Sequence, residues 1–275
     1  MRLGTTGGTA AAAIAERLGA EVVVIPTGTA GSAAAVRAAL HAGDVDAVIH
    51  SLDDLPVELA EGLTIAAVPK RGDARDALVA SGGVTLDALA PGARIGAGTP
   101  LRRVQVLSRR PDVEVIDVRG DADSLIVRIG DDLDGVILPA AGLDGPGRDA
   151  VTEFLGIDGW PTAPAQGAFA IEVREGGLDR LDLQQLAKLD HRPSRLATAA
   201  ERGVLARLGA GRPAIGAHAL LDDGLLFLSA RVYSLDGARH LTSAHALYPE
   251  DVADPAGELA ERVAQELLAA GADAL

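Results

Sequence analysis

The chain contains no cysteine. That excludes disulfides, thiolate metal sites, thiol nucleophiles and any group tethered through a thioether. Aromatic residues are almost as scarce, 2% of 275 residues, so any core must be built from Ala, Val, Leu and Ile. Positive charge is also short. The net charge is −14, which argues against nucleic acid or an anionic membrane as partner, since both need a basic surface. A local cluster can oppose the global sign, so a small anionic molecule stays open as a ligand. The only lysines are Lys70 and Lys188. No apolar run approaches the length of a membrane span. The start, MRLGTTGG, has no apolar secretory core. A cytoplasmic protein is expected.

What is present is a regular alternation. EVVVIPT, VDAVIHS and LTIAAVP read as strands. TAAAAIAERLG and SAAAVRAALHAG read as helices closed by Gly19 and Gly43. Strands alternating with helices imply an α/β domain with a largely parallel sheet. A second run of the same kind follows Pro69: ALVAS, GARIGAG, DVEVIDVRG and LDGVILPAAGL as strands, PLRRVQVLSRR as a helix. GDVDAVIHSLDDLP at 43–56 is echoed by GDDLDGVILPAAGL at 130–143, so two related lobes are expected. From about 190 the pattern changes to a long helix, strands joined by DDG and LDG turns, and the amphipathic helix GELAERVAQELLAAGA. The expected fold is α/β, with two periplasmic-binding-protein-like lobes around a cleft and a small α+β C-terminal domain. The expected division is 1–68 with 168–188, 69–167, and 189–275.

Three Gly/Thr/Ser-rich turns lead into helices: LGTTGGTAAA at 3–12, PTGTAGSAAA at 26–35 and GAGTPLRR at 96–103. Free N–H groups and the helix dipole favour an anion at such places, although simple capping uses the same residues. None matches G-x-x-x-x-G-K-[ST]. Arg102 and Arg103 fall in the first turn after Pro100, where cations are mildly disfavoured. An anion would offset that cost, and so would pairing to nearby Asp residues. Arg119 ends the following strand. His240 and His245, five apart, make a poor metal site. The adjacent carboxylates Asp53 and Asp54 sit where the VDAVIHS strand ends, fitting either a solvated turn or an acid at the mouth of a cleft.

Taken in order, GDVDAVIHSLDDLPVELAEGLTIAAVPKRGDARDALVA, IGAGTPLRRVQVLSRRPDVEVIDVRGD, APAQGAFAIEVR and AERGVLARLGAGRPAIGAHA resemble the porphobilinogen deaminases, also called hydroxymethylbilane synthases. The resemblance covers most of the chain. It implies an enzyme that joins four porphobilinogen units head to tail with release of ammonia, primed by a dipyrromethane thioether-linked to a cysteine of the third domain. It also implies that Asp54 is the catalytic aspartate, accepting pyrrole N–H bonds and stabilising a cationic azafulvene. Substrate contacts would come from Arg102, Arg103, Arg119, Thr99, Ser51, Thr6, Gln166 and Gly167.

The departures from the family pattern have a common sense. Asp53 stands in the place of a lysine and Thr6 in the place of an arginine. The stretch 141–147 lacks a basic pair. LGAGRPAIG at 208–216 has Arg212 near the position of the attachment cysteine. A growing polycarboxylate needs many cations in a poorly hydrated cleft, and a primer cannot attach through sulfur. The expectation is therefore a divergent member acting on a small anionic pyrrole-like or amine-bearing acid, with no metal and no cofactor. A non-catalytic two-lobed binder of small anions and a hydroxymethylbilane synthase with noncovalent priming are the alternatives.

Overall fold

Gly4 and Gly96 occupy the same place in two copies of one packing arrangement. A Cβ at Gly4 would meet Ile25, Val48 and Val45 at 2.8, 3.1 and 3.2 Å; one at Gly96 would meet Val136, Leu133 and Val118 at 3.1, 3.2 and 3.2 Å. The computed structural model describes residues 1–26, 32–58, 60–209 and 214–275. Arg212 and most of the turn before the second helix lie outside them.

The first segment runs β1 (Arg2–Thr5), α1 (Thr9–Leu18), β2 (Glu21–Val24), α2 (Ser32–Ala42), β3 (Ala47–Ser51) and β4 (Leu63–Ala67). The second runs β5 (Asp76–Ala80), β6 (Arg94–Ala97), α3 (Pro100–Arg109), β7 (Glu114–Asp117), α4 (Ala122–Ile126), β8 (Gly135–Pro139), α5 (Gly145–Asp149) and β9 (Glu153–Leu155). The chain then forms β10 (Phe169–Arg174), α6 (Arg180–Leu189), α7 (Arg192–Leu208), β11 (Ile215–Asp222), β12 (Leu225–Tyr233), β13 (His240–Leu247) and α8 (Pro255–Ala269). By contacts it divides into two units, 1–71 with 168–195, and 72–167 with 196–275.

The first unit holds a five-stranded sheet in the order β2-β1-β3-β10-β4. The second holds a sheet in the order β7-β6-β8-β5-β9 and a three-stranded antiparallel sheet β11-β12-β13. The expected α/β class with two related lobes and a smaller C-terminal α+β part is what forms. The sheets are mixed where largely parallel ones were expected. In the first, β1 runs parallel to β2 and β3, whereas β10 is antiparallel to both β3 and β4. The reason is chain path: β10 returns to the first sheet after the whole β5–β9 segment and inserts in the opposite sense. β5 does the equivalent between β8 and β9.

The sequence echo is therefore a structural repeat. β3 and β8 are each third in their sheet, each parallel to one neighbour and antiparallel to the other. Each also ends in a single 3-10 turn, Leu52–Asp54 or Ala140–Gly142.

Both sheets are covered on both faces, as their near-continuous apolar strands require. Side chains alternate across β3. Ala47 and Ile49 pack in a cluster with Ala11, Ile14 and Ala15 of α1, while Val48 packs with Val36 and Leu40 of α2. The C-terminal core joins Ala200 and Val204 of α7, Leu226 and Leu228 of β12, and Leu259 and Val263 of α8. Among the described residues no helix is long and apolar enough to cross a membrane.

Candidate functional site

In the first unit the ends of β1 and β3 meet the start of α1. The turn between β1 and α1 needs glycine: Gly7 and Gly8 have φ of 113° and 103°, in a region where side chains are strained. Gly8 is the N-cap, so α1 starts with no side-chain cap. The result is a cavity of about 140 Å³ lined by Thr5, Thr6 and Gly7 from the β1 end and by His50, Ser51 and Asp54 from the β3 end. Ala11, Val36, Ile49 and Phe169 supply its apolar walls.

Asp53 and Asp54 have different surroundings despite adjacency. The Ser51 hydroxyl donates to Asp53 Oδ1 at 2.6 Å. The Asp54 carboxylate lines the cavity and accepts no hydrogen bond among the described residues. Partial desolvation at the cavity wall pushes the Asp54 carboxyl above its ordinary range. Asp53 adds to the rise, and His50 opposes it. A carboxylate left without donors at the edge of a small hollow suits an N–H or cationic ligand.

Behind the cavity lies a polar trio between the sheet and α2. Glu172 on β10 is fully buried. Arg37 of α2 donates to it through Nε at 2.8 Å and Nη2 at 2.7 Å. His50 Nε2 is 3.2 Å from Glu172 Oε2. Burial raises the Glu172 carboxyl, but the hydrogen bonds and charges of His50 and Arg37 outweigh it and hold it at about 2. The sequence did not expose Glu172 or Arg37 as site residues: the strand FAIEVR hides one carboxylate among apolar residues, and Arg37 looks like the solvated face of an Ala-rich helix.

The remaining candidates belong to the second unit. Thr99 caps α3 by accepting Arg102 N–H at 3.2 Å. Arg102 Nη2 donates to Asp76 Oδ1 at 2.9 Å and to Gln166 Oε1 at 3.0 Å. Gln166 Nε2 also donates to Asp76 Oδ1 at 2.9 Å, and the single tryptophan, Trp160, donates to Asp76 Oδ2 at 2.9 Å. The anion that offsets Arg102 at the helix start is thus the buried Asp76. Arg103 Nη1 donates to the Val115 carbonyl at 2.9 Å and lies 3.5 Å from Asp117. Arg119 is exposed and has no ion-pair partner among the described residues.

Gln166 and Gly167 are held rigidly. Gly167 has φ of 76°, and a Cβ there would stand 2.9 Å from the Asp73 carbonyl oxygen. Ala165, at φ of 70°, is a strained residue whose N–H donates to the buried Glu201 at 2.6 Å.

The family model "Porphobilinogen deaminase, dipyromethane cofactor binding domain" matches residues 29–182. The porphobilinogen deaminase of Leifsonia xyli subsp. xyli is 48% identical over 256 residues, covering 89% of this chain and 78% of that protein. That of Thermobifida fusca is 38% identical over 254 residues, with 90% and 79% covered. That of Micrococcus luteus is 39% identical over 304 residues, with 90% and 81% covered.

The matched domain overturns the expectation of no cofactor. That expectation followed from the missing attachment bond alone, whereas the family is defined by the domain that binds dipyrromethane. The residues present fit such a group in part. Asp54 offers an unoccupied acceptor to a pyrrole N–H. A thioether does not fit, because the chain has no sulfhydryl anywhere.

Proposed function

The chain belongs to the porphobilinogen deaminase family, and from that membership we propose that it binds carboxylated aminomethylpyrroles of the porphobilinogen kind at Asp54 and couples them with loss of ammonia. Any pyrrolic primer is held without a covalent bond through sulfur. The observation that carries this reading is the Asp54 carboxylate, exposed on the wall of a cavity of about 140 Å³ and accepting no hydrogen bond among the described residues. A space of that size suits one five-membered ring. The ring N–H would donate to Asp54. As the C–N bond of the aminomethyl group breaks and ammonia takes the electron pair, positive charge spreads over ring and methylene. A fixed carboxylate beside that charge lowers the barrier.

The same reading makes this a short-chain or single-coupling protein. Each added ring brings further carboxylates. Arg102 is engaged by Asp76, Arg103 lies beside Asp117, and Asp53 adds negative charge next to Asp54. Few guanidiniums are left for a lengthening polyanion.

The test is ammonia release and pyrrolic absorbance from purified protein given porphobilinogen, with native mass spectrometry for a bound pyrrole. Expected are turnover by the wild type and a drop of about a hundredfold or more in Asp54→Asn. Wild-type protein that neither releases ammonia nor gains thermal stability with the pyrrole would overturn the proposal.

A further inference from the structure

The two lobes repeat the same strands, so each shows what the fold alone requires at a given place. β3 and β8 each run into a 3-10 turn, Leu52–Asp54 after Ser51 and Ala140–Gly142 after Pro139. Leu52 and Ala140 are buried, and the two residues that follow each of them are exposed. Asp53 therefore corresponds to Ala141. In the second lobe the turn forms with no charge in it and no hydroxyl before it. Backbone geometry does not ask for the Asp53 carboxylate, so its presence needs another reason.

Its surroundings supply one. Ser51 and Asp54 both line the cavity, and Asp53 stands between them in the chain. The Ser51 hydroxyl has one proton to donate, and it goes to Asp53 Oδ1 at 2.6 Å. A ligand carboxylate reaching the end of β3 would meet a donor already taken and a negative charge already in place. Asp53 also repels the Asp54 carboxylate. Neither lysine nor arginine lines the cavity among the described residues. Arg37, behind it, is matched by the buried Glu172 through two hydrogen bonds. The field at this wall favours cationic and N–H groups and disfavours anionic ones.

We propose that Asp53 is the specificity-determining residue of this site: its charge and its hold on the Ser51 hydroxyl make the cavity accept a pyrrole by its ring N–H and its ammonium, and discriminate against it for every carboxylate it carries. This rests on the reading of Asp54 as the pyrrole site. Asp53 acts through Ser51 and through space, and takes no part in the bond changes. The consequence is a limit on substrate class. Single aminomethylpyrroles with few acid arms are favoured over products of several rings. A unit charge at roughly 6 Å in water-like surroundings changes an affinity about threefold, so the sign of the effect must follow the net charge of the ligand.

The experiment measures the binding of two unreactive probes by titration calorimetry. One is a pyrrole with an acetate and a propionate arm and no aminomethyl group, which is a dianion. The other is 2-(2-aminoethyl)pyrrole, which is a cation. Asp53→Asn keeps an acceptor for Ser51 and removes the charge. It should tighten the dianion by about threefold or more and weaken the cation by about threefold. Both shifts should shrink when salt is raised from about 20 to about 200 mM. Asp53→Ala, which also frees the Ser51 hydroxyl, should tighten the dianion beyond Asp53→Asn, and adding Ser51→Ala should cancel that further gain. Shifts of the same sign for both probes report a structural role only and overturn this assignment. So do unchanged affinities in Asp53→Asn, or an Asp53→Ala protein that binds the dianion no better than Asp53→Asn. Each of those results leaves the Asp54 reading intact. A wild type that binds neither probe and does not turn over porphobilinogen overturns that reading, and this one with it.

Discussion

Replacing Arg37 by methionine isolates the energetics of the buried carboxylate. Glu172 is fully buried, and Arg37 supplies two of its hydrogen bonds through a side chain only 13% exposed. Holding that carboxyl at about 2, against an ordinary 4.5, corresponds to about 3 kcal/mol favouring the ionised form in the folded chain. Breaking a buried pair by removing one partner costs about 3–5 kcal/mol. That shift is shared with His50, so the second route sets the expected loss in Arg37→Met, about 3 kcal/mol at neutral pH. With an m-value of about 2 kcal/mol per molar, the urea midpoint should fall by about 1.5 M. The assay is urea unfolding followed by far-UV circular dichroism and by tryptophan fluorescence. Trp160 lies in the second unit, so its emission reports that unit, while the dichroism reports both. The loss belongs to the dichroism-detected transition of the first unit. The pH dependence has a definite sign. Because the folded-state value of Glu172 is depressed, its stabilisation is complete above about pH 4.5 and disappears as pH falls through about 2. Arg37→Met should lose less stability than wild type across that window. A loss under about 1 kcal/mol at pH 7, or an unchanged acid dependence, would refute the reasoning.

Asp54→Asn should raise the melting temperature slightly at pH 7 while lowering pyrrole turnover about a hundredfold or more. A carboxyl pushed above its ordinary range by desolvation works against the folded state whenever it is ionised, that is, at pH above its raised value; differential scanning calorimetry reads the shift. Asp76→Asn should cost about 3 kcal/mol, because it leaves the half-buried Arg102 without an anion. It should also change Trp160 emission, since the indole N–H loses a charged acceptor. Gly167→Ala should be more damaging than Gly4→Ala in thermal melts. At Gly167 the left-handed backbone and the Asp73 carbonyl cannot give, whereas at Gly4 the nearest atom is the mobile end of Ile25.

The elements with strong periodicity were legible in the sequence. α1 ends at Gly19, whose backbone is left-handed, as the apolar spacing and terminal glycine indicate. α3 begins where Pro100 follows a capping threonine. The echo between 43–56 and 130–143 marks two strands with the same place in two sheets. β10 was not legible as a strand, nor was its antiparallel insertion, because FAIEVR pairs with β3 and β4 only after the chain has built most of another lobe. The same distance hid Glu172 from Arg37, which lies 135 residues earlier.

By itself the sequence determined the materials: aliphatic cores, no sulfur for a covalent tether, a Gly-Thr turn after β1, and two carboxylates at the end of a buried strand. Those follow from composition and local backbone preference, which act over a few residues. Only the tertiary structure decided what the charges do. It turned Asp54 toward a cavity and left Asp53 to Ser51, engaged Arg102 with Asp76, and set His50 against Glu172. Electrostatic roles depend on burial and on separations of a few ångströms between residues far apart in the chain, and those distances exist only once the sheets have closed.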